Sequence, residues 1–441
     1  ALTTNSFSTS ATAMASAGSV GGIAFAYSDY KAATEAQFGA SLGSAASKAG
    51  SLTVQAVSDT TKNATSATTT VGNNALFNAG PAGSTVSDLL TKILGEVSNG
   101  SSSVPAKVGS AIAIADSGLS AKAFIGADAG GAAPAIYTNG NVAVASRQSD
   151  FGVRLIADSS TNSTSTDPTA ANPQAQISLS FGIAVGNYNH DSTAFIGPGA
   201  TVSGLRVGVG ATNEMPISNT WTNWAGLSEA ISHLNGNLGV VNNILTTYAN
   251  ASSQSDQLGL AGSVDYFRVN NETAAYIASG ATITAASLGG AWQTTLADGY
   301  EQAWSRAVSV AADTTVHSID GGGNFGFTGG VNGGAGSAAG GTLLDIGRSS
   351  RTVAAIADGA TVTTGDLAVT ATTSDKMFVV ATSSGQSPHR YATLKALSSS
   401  VASGLSASST RSASSQSCSH RASLQSAWAD HPGLCCARTD P

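Results

Sequence analysis

The first 417 residues of this 441-residue chain contain no cysteine; the three present, Cys418, Cys435 and Cys436, crowd into the last 24. That excludes a disulfide framework and a cysteine-based zinc site from the main body. Charge is also scarce. Asp, Glu, Lys and Arg make up 10% of the residues, against about 25% in an ordinary globular chain. The 19 Lys and Arg are scattered and the net charge is −7, so there is no basic stripe of the kind nucleic acid requires. No apolar run approaches the roughly 20 residues that a membrane-spanning helix needs. The chain opens on ALTTNSFSTS, without Met and without a charged-then-apolar leader, as though taken from the interior of something longer. What it has instead is 51 glycines among many Ser, Thr, Ala and Asn. Val, Ile and Thr are frequent enough to argue against disorder for most of the length.

A loose repeat organises this material. Its short motif reads TEAQFGAS (34–41), AKAFIGAD (121–128), STAFIGPG (192–199), TAAYIASG (273–280) and VAAIADGA (353–360). The anchors Phe38, Ile125, Ile196, Ile277 and Ile356 sit 87, 71, 81 and 79 residues apart. A unit of that kind, with a constant start and a variable middle, signals a repeat architecture. Alternating strands follow the anchors: Leu52, Val54 and Ala56; Val142 and Val144; Leu205, Val207 and Val209; Leu367, Val369 and Ala371. Alternation puts those side chains on one face. Apolar strands and polar turns precede the anchors, as in QISLSFGIAVGNYNHD (176–191), AGSVDYFRVNNE (261–272) and SAIAIADSG (110–118). Strands this short bury a core only when stacked. The expected fold is therefore all-β: a right-handed parallel β-helix, or β-solenoid, over residues 1–386. An antiparallel sandwich or barrel pair is the competing reading of the same alternation.

Two inserts show helical periodicity. In 84–97, Val86, Leu89, Leu90, Ile93, Leu94 and Val97 share one face; in 225–248, Leu227, Ala230, Ile231, Leu234, Leu238, Val241 and Leu245 do so, with Gly236 and Gly239 as weak points. A shorter candidate lies at 297–308. These are expected to pack along the flank of the stack. Trp221, Trp224, Trp292 and Trp304 lie in the variable middles and are the candidate surface-contact aromatics; fastening the inserts to the shaft is the competing role.

TAFIGPGATVSGLRVGV and TVAAIADGATVTTGDLAVTATTSD resemble the repeats of very large exported bacterial proteins, the β-strand-repeat, filamentous-haemagglutinin-like adhesins, including the leukotoxin-like filamentous adhesins. In that family an apolar strand leads to an Asn- or Asp-rich turn, then AYIGDGATV, then G-D-V-x-V-x-A. The first three parts are matched at 261–284 and the last at Gly365, Asp366, Leu367, Val369 and Ala371. The likeness covers most of residues 20–385. It implies a right-handed β-helical shaft, a secreted or outer-surface location on a Gram-negative bacterium, attachment to a host-cell or surface glycan or protein, and flanking solenoid repeats as neighbours. It brings no catalytic residue.

From about Ser387 the repeat spelling stops. Residues 387–441 form a low-complexity tail, expected to be disordered or an out-of-frame end. Cys418, His420, Cys435 and Cys436 have the wrong spacing for a zinc site, whose ligand pairs are separated by two to four residues. GASLG (39–43) matches a nucleophile elbow at Ser41 but lacks the strand-turn-helix setting that motif needs. GGGNFG (321–326) matches G-x-G-x-x-G but is followed by no helix. His190 beside Asp191 reads as a solvated turn pair. No catalytic, cofactor-binding or metal-binding residue is assigned, no cofactor is expected, and the chain reads as non-enzymatic. A β-helical polysaccharide-active enzyme and a toxin-like cell-damaging module are the alternatives.

Overall fold

Why does one motif recur at such long intervals? The computed structural model answers through strand register. It describes residues 1–15, 21–71, 106–126, 132–163, 177–215, 246–255, 258–323 and 337–382, with short pieces at 411–412 and 434–436. A first strand, β1 (Leu2–Ala15), precedes five units. Unit one contributes β2 (Gly21–Phe38) and β3 (Leu52–Val71). Unit two contributes β4 (Ala106–Ile125), β5 (Ala135–Tyr137), β6 (Val142–Asp150) and β7 (Val153–Ser163). Unit three repeats the order as β8 (Ile177–Ile196), β9 (Thr201–Gly204), β10 (Val207–Met215) and β11 (Thr247–Ser255). Unit four has β12 (Leu258–Ile277), β13 (Thr282–Ala285), an inserted pair β14 (Trp292–Thr295) and β15 (Glu301–Trp304), and β16 (Val308–Gly323). Unit five has β17 (Ser337–Ala357), β18 (Thr361–Thr363) and β19 (Leu367–Thr382).

Equivalent strands of successive units pair in parallel and form three sheets. The entry sheet runs β2-β4-β8-β12-β17, the cap sheet β5-β9-β13-β18, and the exit sheet joins the strands from β1 and β3 through β16 and β19. The five anchors fall in one register row: Phe38 pairs with Ile125, Ile125 with Ile196, Ile196 with Ile277 and Ile277 with Ile356. Two residues earlier, all five units place alanine: Ala36, Ala123, Ala194, Ala275 and Ala354. The cap row is Leu42, Ile136, Val202, Ile283 and Val362. The exit rows begin with Leu52, Val142, Val207, Val308 and Leu367. Apart from Leu367, which is exposed in the last unit, these rows meet in one apolar core, so each unit buries its face against its neighbours as a stacked repeat must. The fold is all-β, built of parallel sheets and β-solenoid-like.

The recurring G-A-T has a local cause. Gly199, Gly280 and Gly359 adopt φ of 68°, 71° and 77°, in the left-handed region where a Cβ is disfavoured. Each is the third residue of a turn closed by the next alanine: the amides of Ala200, Ala281 and Ala360 donate to Gly197, Ala278 and Ala357 at 3.3, 3.3 and 3.2 Å. That turn joins entry strand to cap strand.

Three expectations need correction. The strands are not short: β4, β8 and β12 have 20 residues each, because inward–outward alternation continues far upstream of the motif. In unit three the exit strand starts at Val207, with Val209 and Ala211 following in register; Leu205 sits in the preceding turn, 41% exposed. The third helical candidate, 297–308, is instead the turn and second strand of the antiparallel β14–β15 hairpin, which pairs Trp292 with Trp304. Asp298-Gly299 is the reason: Gly299 has φ 86°, and an Asp-Gly pair between alternating strands is a strong hairpin signal. No helix occurs among the described residues. Segment 84–97 lies outside them, as does 225–245, while Thr247 and Tyr248 begin β11. Among the described residues no helix is long and apolar enough to cross a membrane. Most of the tail also lies outside them; β20 (Arg411–Ser412) and β21 (Leu434–Cys436) pair antiparallel with β19 and β17.

Candidate functional site

The interior is not uniformly apolar. A hydrogen-bonded seam crosses it, to which each unit contributes. Asn63 on β3 donates through Nδ2 to Ser117 Oγ on β4 (3.0 Å) and to Asp150 Oδ2 at the end of β6 (2.9 Å). Asp150 Oδ2 faces His190 Nε2 on β8 at 3.2 Å, and His190 Nδ1 faces Asn271 Oδ1 on β12 at 3.2 Å. Asn271 Nδ2 reaches Ser350 Oγ on β17 at 3.5 Å. Asn213 Nδ2 donates to the His190 carbonyl at 2.7 Å. His190 is thus not a solvated turn residue: it and Asp150 are fully buried. Asp191, its neighbour along an extended strand, points to the opposite, exposed face. Beside the seam, threonines on both sheets form a hydroxyl ladder, Thr273 to Thr314 to Thr352 to Thr373, each contact 2.7 Å.

A second buried polar group lies between β11, β12, β16 and β17. The Thr247 hydroxyl lies 2.5 Å from Asp265 Oδ2 and 3.3 Å from Asp320 Oδ1, and Ser318 donates to Asp320 Oδ2 at 2.6 Å. Arg348 pairs with Asp375 and stands 3.8 Å from Asp320. Desolvation pushes the Asp265 carboxyl up to about 8, with the Thr247 hydrogen bond opposing and the Asp320 charge adding to the rise. Desolvation also raises Asp320, to about 6, against the opposing pull of Arg348. A buried carboxyl facing a second carboxyl favours its neutral form. Among the described residues no group of three or more His, Cys, Asp or Glu is placed to hold a metal. With Asp150 and His190 both fully buried, what the seam can do is fix which unit residue faces which: a two-residue slip preserves alternation but leaves buried polar atoms unpaired.

The outer face of the exit sheet is covered over β3, β6 and β10. The β14–β15 hairpin, emerging from unit four, folds back over units three, two and one. Trp304 lies on Gly208 and Gly210, where an added Cβ would meet its ring at 2.7 and 2.8 Å. Both indoles are buried, stacked at 5.2 Å between centroids, and packed on Val57, Ala143 and Ala145. Trp304 Nε1 donates to Thr294 Oγ1 and Trp292 Nε1 to the Arg306 carbonyl, both at 3.1 Å. Arg147 of unit two pairs with Asp298 in the hairpin turn and, at 2.6 Å, with Glu214 of unit three, and its guanidinium lies 4.5 Å from the Tyr300 ring centre. Of the four candidate surface aromatics, Trp292 and Trp304 therefore present no ring to solvent and hold an insert in place. Trp221 and Trp224 lie outside the described residues.

The entry sheet differs. Its outward row Phe25, Ile112, Ile183, Val264 and Leu343 is apolar in all five units. The next row is Tyr27, Ile114, Val185 and Tyr266, closed by Asp345. Leu343 is 61% and Tyr27 53% exposed. Nearer the motif, Phe124, Phe195 and Tyr276 stack at 4.7 and 4.9 Å, with Lys122 Nζ 4.6 Å from the Phe124 ring centre.

The remaining sequence motifs are structural where described. Ser41 Oγ accepts from the Ala135 amide at 3.1 Å, in a turn and not before a helix. Gly321 to Gly323 end β16, and the rest of GGGNFG lies outside the described residues. Of the tail residues, Cys435 and Cys436 belong to β21, while Cys418 and His420 lie outside. Arg147 and the Asp150–His190 pair went unnoticed in the sequence; the available signal was a polar residue at a position whose parity is inward, as His190 is by counting back six from Ile196. Comparison with family models, with curated proteins and with solved structures finds no match.

Proposed function

We propose that the chain is a non-enzymatic segment of the shaft of a bacterial cell-surface or secreted filamentous adhesin, folded as a right-handed parallel β-helix. One observation carries this reading: five units repeat the same anchor, alanine and cap rows in one continuous register. Such a stack lengthens by adding units, each reusing the same contacts, and so holds a binding region away from a cell surface. Rigidity comes from strands paired along the axis and from the interior seam, with no cysteine needed before residue 418. The repeat spelling that resembles filamentous-haemagglutinin-like adhesins supports export and attachment.

The test is localisation. An antibody against residues 1–382 should label intact cells of the source organism, and protease added to those cells should remove the label. A chain confined to the cytosolic fraction would refute the proposal.

A further inference from the structure

We propose that the interior seam of units one to three binds ordered water molecules that complete its hydrogen bonding. Six inward side chains there each keep one oxygen that meets no hydrogen-bond partner among the described residues: Ser58 Oγ, Thr60 Oγ1, Asn63 Oδ1, Gln148 Oε1, Asp150 Oδ1 and Tyr188 Oη. All six residues are fully buried. They also stand together. Ser58 and Gln148 are register partners, as are Thr60 and Asp150. Asn63 joins Asp150 to Ser117, and Ser117 is the register partner of Tyr188. The large majority of buried polar groups have a partner, either in the protein or in ordered water.

Donor and acceptor chemistry selects that partner. The free oxygens of Asn63, Gln148 and Asp150 are acceptors and need a donor. The hydroxyls of Ser58, Thr60 and Tyr188 each also carry a proton that needs an acceptor. A bare cation would serve the first three and leave the hydroxyl protons unmet. Water both donates and accepts, so it serves both kinds. Small side chains flank the group. Ala32 fills unit one's place in the row of Leu119, His190 and Asn271, and Ala121 stands between Thr34 and Ser192.

The later units supply the contrast. In unit four Thr273 and Thr314 bond hydroxyl to hydroxyl across the two sheets at 2.7 Å. The same two rows carry Thr34 and Ser58 in unit one, and there neither hydroxyl has a partner. Where the threonine ladder closes the gap directly, the first units close it through water.

Magnetic relaxation dispersion of water oxygen-17 counts the waters held inside the full chain for longer than it tumbles. Wild type should hold roughly two or more, at about three hydrogen bonds per water. Tyr188→Phe should lower that count and lower the melting temperature, because a bound water loses a partner. If the Tyr188 hydroxyl met no partner at all, the same change would remove an unsatisfied group and raise the melting temperature, and the proposal would fall. Should Tyr188→Phe lose its β-sheet circular dichroism, Thr60→Val replaces it, with the same two readings expected. Thr352→Val, in the directly bonded ladder, should leave the water count unchanged. No long-lived water in wild type would overturn the proposal. So would a count that the seam variants leave unchanged, or one that falls equally in Thr352→Val.

Discussion

The two long sheets share one interior but treat their outer faces in opposite ways. Over the exit sheet, small residues form a bed and a hairpin from a later unit lies in it, its Trp304 ring against the backbone of Gly208 and Gly210. Over the entry sheet, the same alternation delivers Phe25, Ile183 and Leu343 to the outside with no described element upon them. The lesson concerns outward positions in a stacked repeat. Their size, more than their polarity, differs between the two faces: small residues lie beneath the hairpin, and large apolar ones stand where no described element covers them.

The largest effects are expected where the hairpin covers the exit sheet. Trp304→Ala should cost about 3–5 kcal/mol, the range for deleting a buried aromatic. Hydrogen exchange should show the loss confined to residues 292–304 and the strands beneath, with the entry sheet still protected. Arg147→Met removes the cation between Asp298 and Glu214, both less than a quarter exposed; stranding buried carboxylates costs about 3–5 kcal/mol, and the same local signature is expected. Gly208→Val should displace the hairpin without touching the core, so near-ultraviolet circular dichroism from the indoles should fall while far-ultraviolet signal stays. If any of these loosened the entry sheet equally, the two faces would not be independent.

Raising the pH should loosen both faces together. Asp265 and Asp320 lie between the sheets, and both carboxyls are raised on folding, to about 8 and about 6. The folded state therefore binds protons that the unfolded state releases near pH 4. Their stabilising contribution is full below that value and is lost as pH rises through about 6 and then about 8. Thermal melting should fall between pH 5 and pH 9, with both sheets responding, and Asp265→Asn should flatten the slope. A profile that rises over that interval in wild type, or an unchanged slope in the variant, would contradict the buried carboxyl pair. The smallest effect is expected at Leu343, 61% exposed on the entry sheet, where Leu343→Ser should alter stability by no more than about 0.5 kcal/mol, as surface changes usually do; a larger drop in the melting temperature would mean that Leu343 is covered.

Part of this was legible in the residues. Phe38, Ile125, Ile196, Ile277 and Ile356 announce the register because one short motif is written consecutively around each; after Ile196, Ile277 and Ile356 it ends in a turn with a left-handed glycine, Gly199, Gly280 and Gly359. The exit rows followed from alternation, apart from Leu205, which lies in the turn before β10. The hairpin was misread because EQAWSRAV has helical spacing, although the Asp298-Gly299 turn outweighs it. The seam was invisible for another reason. Asp150 and His190 are 40 residues apart and His190 and Asn271 are 81 apart, and nothing local marks them as partners. Only the stacking of units, which fixes inward parity and neighbour identity together, brings them into contact.

Stacking in that register is also what a single measurement tests most directly. With Cys418, Cys435 and Cys436 replaced by Ser, cysteine pairs are placed on the outer face of β8 and β12. Thr193 and Ala274 are register partners, so their Cα atoms lie about one strand spacing apart, inside the 4.4–6.8 Å range that a disulfide spans. Thr193 and Tyr276, or Thr193 and Glu272, are offset by two residues and lie roughly 8 Å apart, beyond reach. Mild oxidation should cross-link the 193/274 pair within the monomer and leave both offset pairs reduced. Preferential cross-linking of either offset pair would mean that the units stack in another register, and the account built on the five anchors would fall.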